Sequence, residues 1–428
     1  MKGKASFGGA IPQVVATLMV AYFAASSVHA EGFRNPPPGA AGLGRSGVWI
    51  AQSDDASAVS YNPANLVDVD GASVVAGFSL ASTKTEFDSA SGVSAESEDP
   101  WQILPNLYGA CPMQDQRMAL GIGITTPYGQ SMEWDESGPF RYDVPYFAEI
   151  RLVNVNPSIG YKINEALSVG AGLDVFVSDL EFKQCYPWAL ATGNPAAPDG
   201  VARFTGDGSG LGGNVGLTWK ITGAQRVALV YRSSVKVDYD GDFEISNLPA
   251  SAAPFPALAT VSPESDFSTE IEYPAAAGLG YGVALTETLN VEADVEWLEW
   301  SRYDRMALDI AGNQALLPAP EIVNDWDDSW TFGLSADWHF APEWVFRAGY
   351  SFLESPIPDE TFSPSIPDAD RHVVTFGLGY GRGGHAIQVA MANSFYEDRE
   401  IGNNQNPTYN GDYELCAQLY SVSYGYSF

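Results

Sequence analysis

The 428-residue chain contains only three cysteines, Cys111, Cys185 and Cys416. That is too few for a disulfide scaffold, and their spacing is not that of metal ligands. Basic residues are scarce: 21 Lys and Arg stand against 53 Asp and Glu, a formal net charge of -32. Nucleic-acid binders carry basic stripes, so that class of partner is excluded. Hydrolase signatures are missing as well. Neither G-x-S-x-G nor H-E-x-x-H occurs, and there are four histidines. The sequence gives no reason to expect an enzyme, a cofactor or a metal site. Three G-x-G-x-x-G matches, starting at Gly42, Gly208 and Gly379, lie outside any strand–helix unit and read as chance in a chain with 43 glycines.

Long apolar runs are absent with one exception. Lys2 and Lys4 precede "VVATLMVAYFAA" (Val14 to Ala25), and Val28-His29-Ala30 offers the small residues a signal peptidase reads. About 20 apolar residues are needed to cross a bilayer as a helix, so residues 1–30 read as a secretory signal cleaved before Glu31.

What the sequence has in abundance is alternation. In "QLYSVSYGYSF", Tyr420, Val422, Tyr424, Tyr426 and Phe428 alternate with Ser421, Ser423, Gly425 and Ser427. Period two marks a strand with unlike faces. The pattern recurs near 71–82, 100–111, 117–130, 148–162, 166–183, 209–221, 226–245, 268–284, 288–304, 328–339, 343–354, 371–381, 384–396 and 417–428. Short connections such as "INE", "TET" and "RGG" alternate with long ones such as 184–208, 246–267 and 397–416. Tight turns on one side and long loops on the other belong to barrels that cross an outer membrane, where closure leaves no backbone unpaired in lipid. The expected fold class is all-β: a fourteen-stranded antiparallel transmembrane β-barrel over residues 71–428, its last strand paired with its first. Residues 31–70, rich in Pro, Gly and small side chains, cannot form their own core and are expected to plug the lumen.

The stretch "GLGRSGVWIAQSDDASAVSYNPANL" (Gly42 to Leu66) resembles the amino-terminal hatch of the FadL family, outer-membrane transporters of long-chain fatty acids and related hydrophobic compounds. It includes Gly42, Gly44, Arg45 and Gly47, and the triplet Asn62-Pro63-Ala64 matches the family's hatch motif. Similar blocks follow at Asn156 to Val175, Tyr231 to Phe243, Trp297 to Met306 and, most clearly, Arg347 to Tyr380. The resemblance implies a plugged barrel that captures ligand between extracellular loops, passes it to a lumenal pocket and releases it sideways at a kink in the third strand. Here that strand carries Thr125, Thr126, Pro127 and Gly129. Proline cannot donate to a ladder, which makes a kink there independently reasonable. Asn62 is expected to bond the backbone exposed at the kink.

Trp188, Phe204, Phe243 and Phe255 are candidates for an apolar capture groove, with loop packing as the plainer alternative. Pro356, Pro358, Pro367, Asp368 and Arg371 form a loop signature that reads as structural, with Asp368 or Asp370 pairing Arg371 at the loop base. A fatty-acid carboxylate calls for a cation, with Arg141, Arg151, Lys183, Arg302, Arg305 and Arg371 as candidates. The acidic balance keeps a neutral hydrocarbon open as the cargo. A general diffusion porin and an outer-membrane lipid hydrolase are the readings from other classes. Expected partners are hydrophobic small molecules, outer-membrane lipid and lipopolysaccharide, and barrel-assembly machinery, with the barrel acting as a monomer. A Cys185–Cys416 disulfide on the outer rim is a further expectation.

Overall fold

The computed structural model describes residues 31–98, 101–113, 117–249, 258, 261–317 and 321–428. The expected signal segment and Phe255 lie outside the described residues. Fourteen antiparallel strands form the wall. They are β1 (Ser73–Asp88), β2 (Gln102–Pro112), β3 (Met118–Thr125 and Gly129–Trp134), β4 (Phe147–Lys162) and β5 (Leu167–Tyr186). Next come β6 (Gly200–Lys220), β7 (Gln225–Arg232 and Val235–Ile245), β8 (Glu264–Tyr273 and Ala276–Ala284), β9 (Leu289–Leu298) and β10 (Ser329–Ala341). The last four are β11 (Trp344–Leu353), β12 (Arg371–Arg382), β13 (His385–Tyr396) and β14 (Gly411–Ser427). Each strand pairs with the next, and β14 closes on β1 in unbroken register from Ser73 opposite Ser427 to Asp88 opposite Asp412.

Alternation decides which side chains face out. On β14, Ser421 and Ser423 are buried inside, while Tyr420 and Tyr424 are exposed. Leu120, Ile122, Leu173, Leu229 and Phe332 are exposed on the same outer surface, and Leu211 is 76% exposed. A continuous apolar surface of this kind is an aggregation liability in water but matches the lipid-facing band of a membrane barrel. At the short-turn end Trp338, Phe340 and Trp344 add aromatic rings, with Trp344 and Tyr380 centroids 4.7 Å apart. These are the amphipathic side chains favoured at a membrane interface.

Several strands run further toward the long loops than apolar alternation indicates. β6 starts at Gly200 rather than near 209, β8 at Glu264 rather than near 268, and β14 at Gly411 rather than near 417. The ladder continues there, but its outer positions switch from apolar to charged. Lys84 meets Glu86 and Glu96 at 2.8 Å, Arg203 meets Glu181 at 2.7 Å, and Lys236 pairs with Glu270. Cross-strand ion pairs replace lipid-facing side chains once the strand leaves hydrocarbon.

The disulfide expectation fails. All three cysteines are free. Cys185 lies in β5 opposite Val201 of β6, whereas Cys416 lies in β14 between β1 and β13. Both belong to ladders rather than to loops, and their separate places in the wall keep them from meeting.

Residues 31–72 fill the lumen. Two short helices, α1 (Ala40–Leu43) and α2 (Ala58–Tyr61), and a 3-10 turn at Pro63–Asp68 are its regular pieces. Helices this short are not stable alone. Phe33, Ala51, Ala58, Val59 and Leu66 are each fully buried against the inner wall, which supplies the missing core.

Candidate functional site

The inner half of the lumen is built around Asn62-Pro63-Ala64. Asn62 caps the 3-10 turn: its Oδ1 accepts from the Ala64 N–H at 3.0 Å, and Pro63 fills the first helical position, where no N–H is needed. Its Nδ2 donates to the Ile50 carbonyl and to Thr218 Oγ1, each at 2.9 Å. The amide is thus committed to its own turn and to β6, and the expected bond from Asn62 to the β3 kink is not made. Glycines determine where this turn can sit. A Cβ at Gly160 would lie 2.8 Å from the Pro63 carbonyl oxygen, and side chains at Gly170 and Gly216 would overlap Pro63 and Asn62 outright.

Asn65 completes the anchor, donating to Ser53 Oγ at 2.9 Å and accepting from Thr218 Oγ1 at 2.6 Å. At the short-turn end Asp68 takes Lys220 at 2.5 Å and Arg226 at 3.2 Å. Arg45 is buried, pairs with Asp337, donates to Ala41 O at 2.8 Å and lies 4.0 Å over the Trp49 ring. Gly42 abuts Tyr61, Gly44 packs against Gly377, and Gly47 holds φ +82, which an L side chain resists. The glycine–arginine segment is a packing device as the structure places it.

The kink in β3 falls between Thr125 and Gly129. Thr125 is opposite Asn154 on β4 and Gly129 is opposite Arg151, so three residues of β3 face two of β4. One extra residue at Pro127 pushes the strand out of line. β2 pairs with β3 only from Leu107 to Pro112. Among the described residues, no ladder joins Gln102–Asn106 of β2 to the Gly129–Trp134 segment, leaving a gap in the wall. The stranded backbone groups are met from inside by the amino-terminal segment. Asn35 N–H donates to Pro127 O at 2.9 Å, Asn35 Nδ2 to Thr126 O at 2.8 Å, and Gly129 N–H to Phe33 O at 2.9 Å. The role expected of Asn62 is filled by Phe33 and Asn35, which sequence reasoning missed. A lone aromatic ahead of "NPPP" was the available signal.

Phe33 is also the centre of an aromatic constriction. Its ring lies 4.8 Å from Trp300, 5.0 Å from Tyr303, 5.7 Å from Tyr273 and 6.3 Å from Tyr128, mostly edge to face. Above it, toward the long loops, lies a buried cluster rich in aromatic and aliphatic side chains. Phe204 and Phe243 belong to that half, with centroids 5.0 Å apart, but as inward residues of β6 and β7 rather than loop residues. Trp188 sits in the short helix α3 (Trp188–Thr192), buried and donating to Ser246 O at 2.9 Å. Below the constriction lies a cavity of ≈ 220 Å³ bordered by Thr125, Pro127 and Tyr128 of the kink and by Pro36 to Pro38.

The loop signature links these parts. Asp368 Oδ2 accepts from Gly32 N–H at 2.9 Å and from Ser355 Oγ at 3.0 Å, tying the loop after β11 to the amino-terminal segment. Burial pushes the Asp368 carboxyl above its ordinary range, against the opposing charge of Arg371. Burial likewise raises Glu31, with Arg34 at 3.1 Å pulling the other way. Pro356 O accepts from Asp327 N–H at 2.8 Å, Pro358 leads into a 3-10 turn, and Pro367 is buried. The same loop reaches β3 beyond the kink, where Trp134 Nε1 donates to Pro364 O at 3.0 Å. Of the six candidate cations only Arg371 borders the cavity. Arg151 and Lys183 are on outward positions of β4 and β5, and Arg141, Arg302 and Arg305 pair with Asp199, Glu299 and Glu321.

Known proteins share this plan. A long-chain fatty acid transport protein of Salmonella typhi is 26% identical over 419 residues, covering 93% of this chain and 94% of its own. Outer membrane protein P1 of Haemophilus influenzae is 24% identical over 480 residues, covering 97% and 98%. Among solved structures, a Pseudomonas aeruginosa FadL homologue superposes with a TM-score of 0.81 at 23% identity, over 93% of this chain and all of the other. The P. putida toluene transporter TodX gives 0.71 at 20% identity, over 93% and 99%. The family model described as outer membrane protein transport protein (OMPP1/FadL/TodX) matches residues 21–428. The chain therefore belongs to the OMPP1/FadL/TodX family of outer-membrane transport proteins.

Proposed function

We propose that this barrel carries long-chain fatty acids or related hydrophobic compounds inward through the outer membrane. The compound is captured at the aromatic outer half, passes Phe33 into the inner cavity, and leaves sideways between β2 and β3 into the membrane. The observation that carries this reading is the stretch Gln102–Asn106, paired with β1 but not with β3, beside the displaced Thr125–Gly129 corner that borders the cavity. An aqueous route straight down fits poorly, because Asn62, Asn65 and Asp68 fix the inner plug to the wall.

Transfer free energies show what release requires. Apolar burial gains about 0.8 kcal/mol per CH₂. A twelve-carbon chain in the aromatic half would gain roughly 10 kcal/mol and stay there without a competing apolar phase. The gap provides that phase, since membrane hydrocarbon solvates an alkyl chain as well as the aromatic half does. General porin activity is disfavoured by the buried plug segment.

The test follows from the register. Because three residues of β3 face two of β4, deleting Pro127 restores one-to-one pairing and lets β3 seal against β2. Uptake of radiolabelled oleate should fall at least tenfold in cells carrying this deletion, with barrel assembly verified by heat-modifiable gel mobility. Undiminished uptake by an assembled deletion variant would remove the gap from the mechanism.

A further inference from the structure

The gap beside β3 has a second proline on its opposite edge, and the register shows what that residue withholds; the inference rests on the lateral-exit reading above. In an antiparallel sheet each residue turns both backbone groups to one neighbour, and successive residues alternate between neighbours. Phe428 N–H donates to Ala72 O at 2.9 Å, so even-numbered residues of β1 bond β14 and odd-numbered ones bond β2. Ser73 stands opposite Ala110, so even-numbered residues of β2 bond β1 and odd-numbered ones face β3. Met113 N–H, which donates to Met118 O at 2.7 Å at the turn into β3, agrees with that parity. Pro105 is one of the odd-numbered residues. It lies inside β2, opposite Phe78 of β1, with its nitrogen turned toward the gap. A proline is tolerated within a strand only where no ladder bond is asked of its nitrogen.

The last bonded rung between β2 and β3 sets Leu107 opposite Ile124, and the next would set Pro105 opposite Thr126. The Thr126 carbonyl would then face an N–H that residue 105 does not have. It accepts instead from Asn35 Nδ2 at 2.8 Å. A second proline in the wall shows the same exchange. Pro157 of β4 would stand opposite Leu173 of β5, where pairing lapses between Val155 opposite Val175 and Ser158 opposite Gly172. Leu173 O there accepts from Asn156 Nδ2 at 2.6 Å. That replacement donor belongs to the wall itself, and the ladder resumes at Ser158. The replacement at Thr126 comes from the amino-terminal segment, and among the described residues the β2–β3 ladder does not resume.

We propose that Pro105 is a positioning residue for sideways release. By withholding one N–H from the edge of β2 it leaves the Thr126 carbonyl to Asn35 and keeps β2 and β3 apart where the alkyl chain leaves. Any other residue at 105 would hold a donor facing hydrocarbon while the gap is open, and closing onto Thr126 would satisfy it.

Pro105→Val supplies that donor on a residue that favours strands. In cells carrying the full-length variant, uptake of radiolabelled oleate should fall about tenfold, the scale set by one donor left unpaired in hydrocarbon. Oleate retained by the detergent-purified barrel, read by native mass spectrometry, should stay at the parent level, which separates a blocked exit from lost capture. Adding Pro105→Val to the Pro127 deletion, which seals the same gap from the other edge, should lower uptake no further than the deletion alone. If Pro105→Val does not assemble by heat-modifiable mobility, Pro105→Ala supplies the same N–H and carries the same expectation. Undiminished uptake in the assembled variant, a matching loss of oleate retention, or losses that multiply in the combined variant would overturn the inference while leaving a lowered uptake in the Pro127 deletion to support the lateral-exit reading. Undiminished uptake in both single variants would overturn both.

Discussion

The two halves of the lumen solve different problems with the same wall. Toward the long loops, inward positions carry Phe176, Phe204, Tyr239, Phe243, Phe267 and Tyr273, which pack mainly on one another. Toward the short turns, inward positions carry Gly160, Gly170 and Gly216, with Thr218 and Lys220, and these pack on the amino-terminal segment. The outer half is built mainly of apolar contacts, which in the proposed route give way to an alkyl chain. The inner half is a fitted seat held by directional bonds. Phe33 stands at the border, with its ring in the aromatic half and its carbonyl bonded to the kink. In the proposed route, capture and sealing are thus separated by a few residues bonded to the kink.

The largest effect that would break this contrast comes from filling the glycine seat. Gly216→Leu intrudes on Asn62 and unseats the 3-10 turn, since the buried Asn62 cap and the Pro63 ring lie where the side chain must go. Planar-bilayer conductance should change from closed to an open, steady current. A silent channel in the assembled variant would mean that the seat is not the seal.

A smaller effect is expected from Phe33→Ala, which removes the ring from the constriction but keeps the backbone bonds from Gly129 N–H to the residue 33 carbonyl and from Asn35 N–H to Pro127 O. Loss of a fully buried Phe costs about 3–5 kcal/mol of local packing. Uptake of bulky hydrocarbons should rise relative to linear ones. An unaltered ratio would show that the ring does not set the step between the halves.

Asp368 gives a pH dependence. Its folded value lies above the unfolded one because of burial, so its ionised form opposes the fold. That cost is present above the raised folded value and is relieved as pH falls through it toward the unfolded value of about 3.8. Asp368→Asn should flatten this part of the stability–pH profile and, by weakening acceptance from Gly32, raise amide exchange at Gly32 to Asn35 at neutral pH. Identical exchange in both proteins would dissociate the loop from the amino-terminal segment.

The mildest change is Asn62→Ala. It removes a cap worth about 1 kcal/mol and the bond to Thr218, but touches neither Phe33 nor the kink. Uptake should remain close to normal with a modest loss of thermal stability, measured by heat-modifiable mobility. A collapse of uptake would restore the expected link from Asn62 to the kink.

The wall was largely legible because lipid imposes one rule on every strand: apolar outside, alternating, with tight turns at one end. Where lipid stops, the rule stops, and the outer reaches of β6, β8 and β14 were read as loop although their ladders continue through charged pairs. The site was less legible. Pro127 announces its break because a missing donor is a local property. Asn62 announces a cap for the same reason, but its partner across the lumen, Thr218, is 156 positions away. Asp174 between Asn154 and Asn214 joins three strands, and nothing in any one of them marks the link.

The most direct test of the central claim, sideways exit through the gap, is photo-crosslinking during uptake with an alkyl chain bearing a terminal diazirine. Adducts mapped by peptide mass spectrometry should concentrate on Gln102–Asn106 and Thr126–Gly129, with few on the inner seat. Adducts concentrated instead on Asp68, Lys220 and Arg226, at the short-turn end of the lumen, would show that the compound passes straight through the plug and would contradict the account.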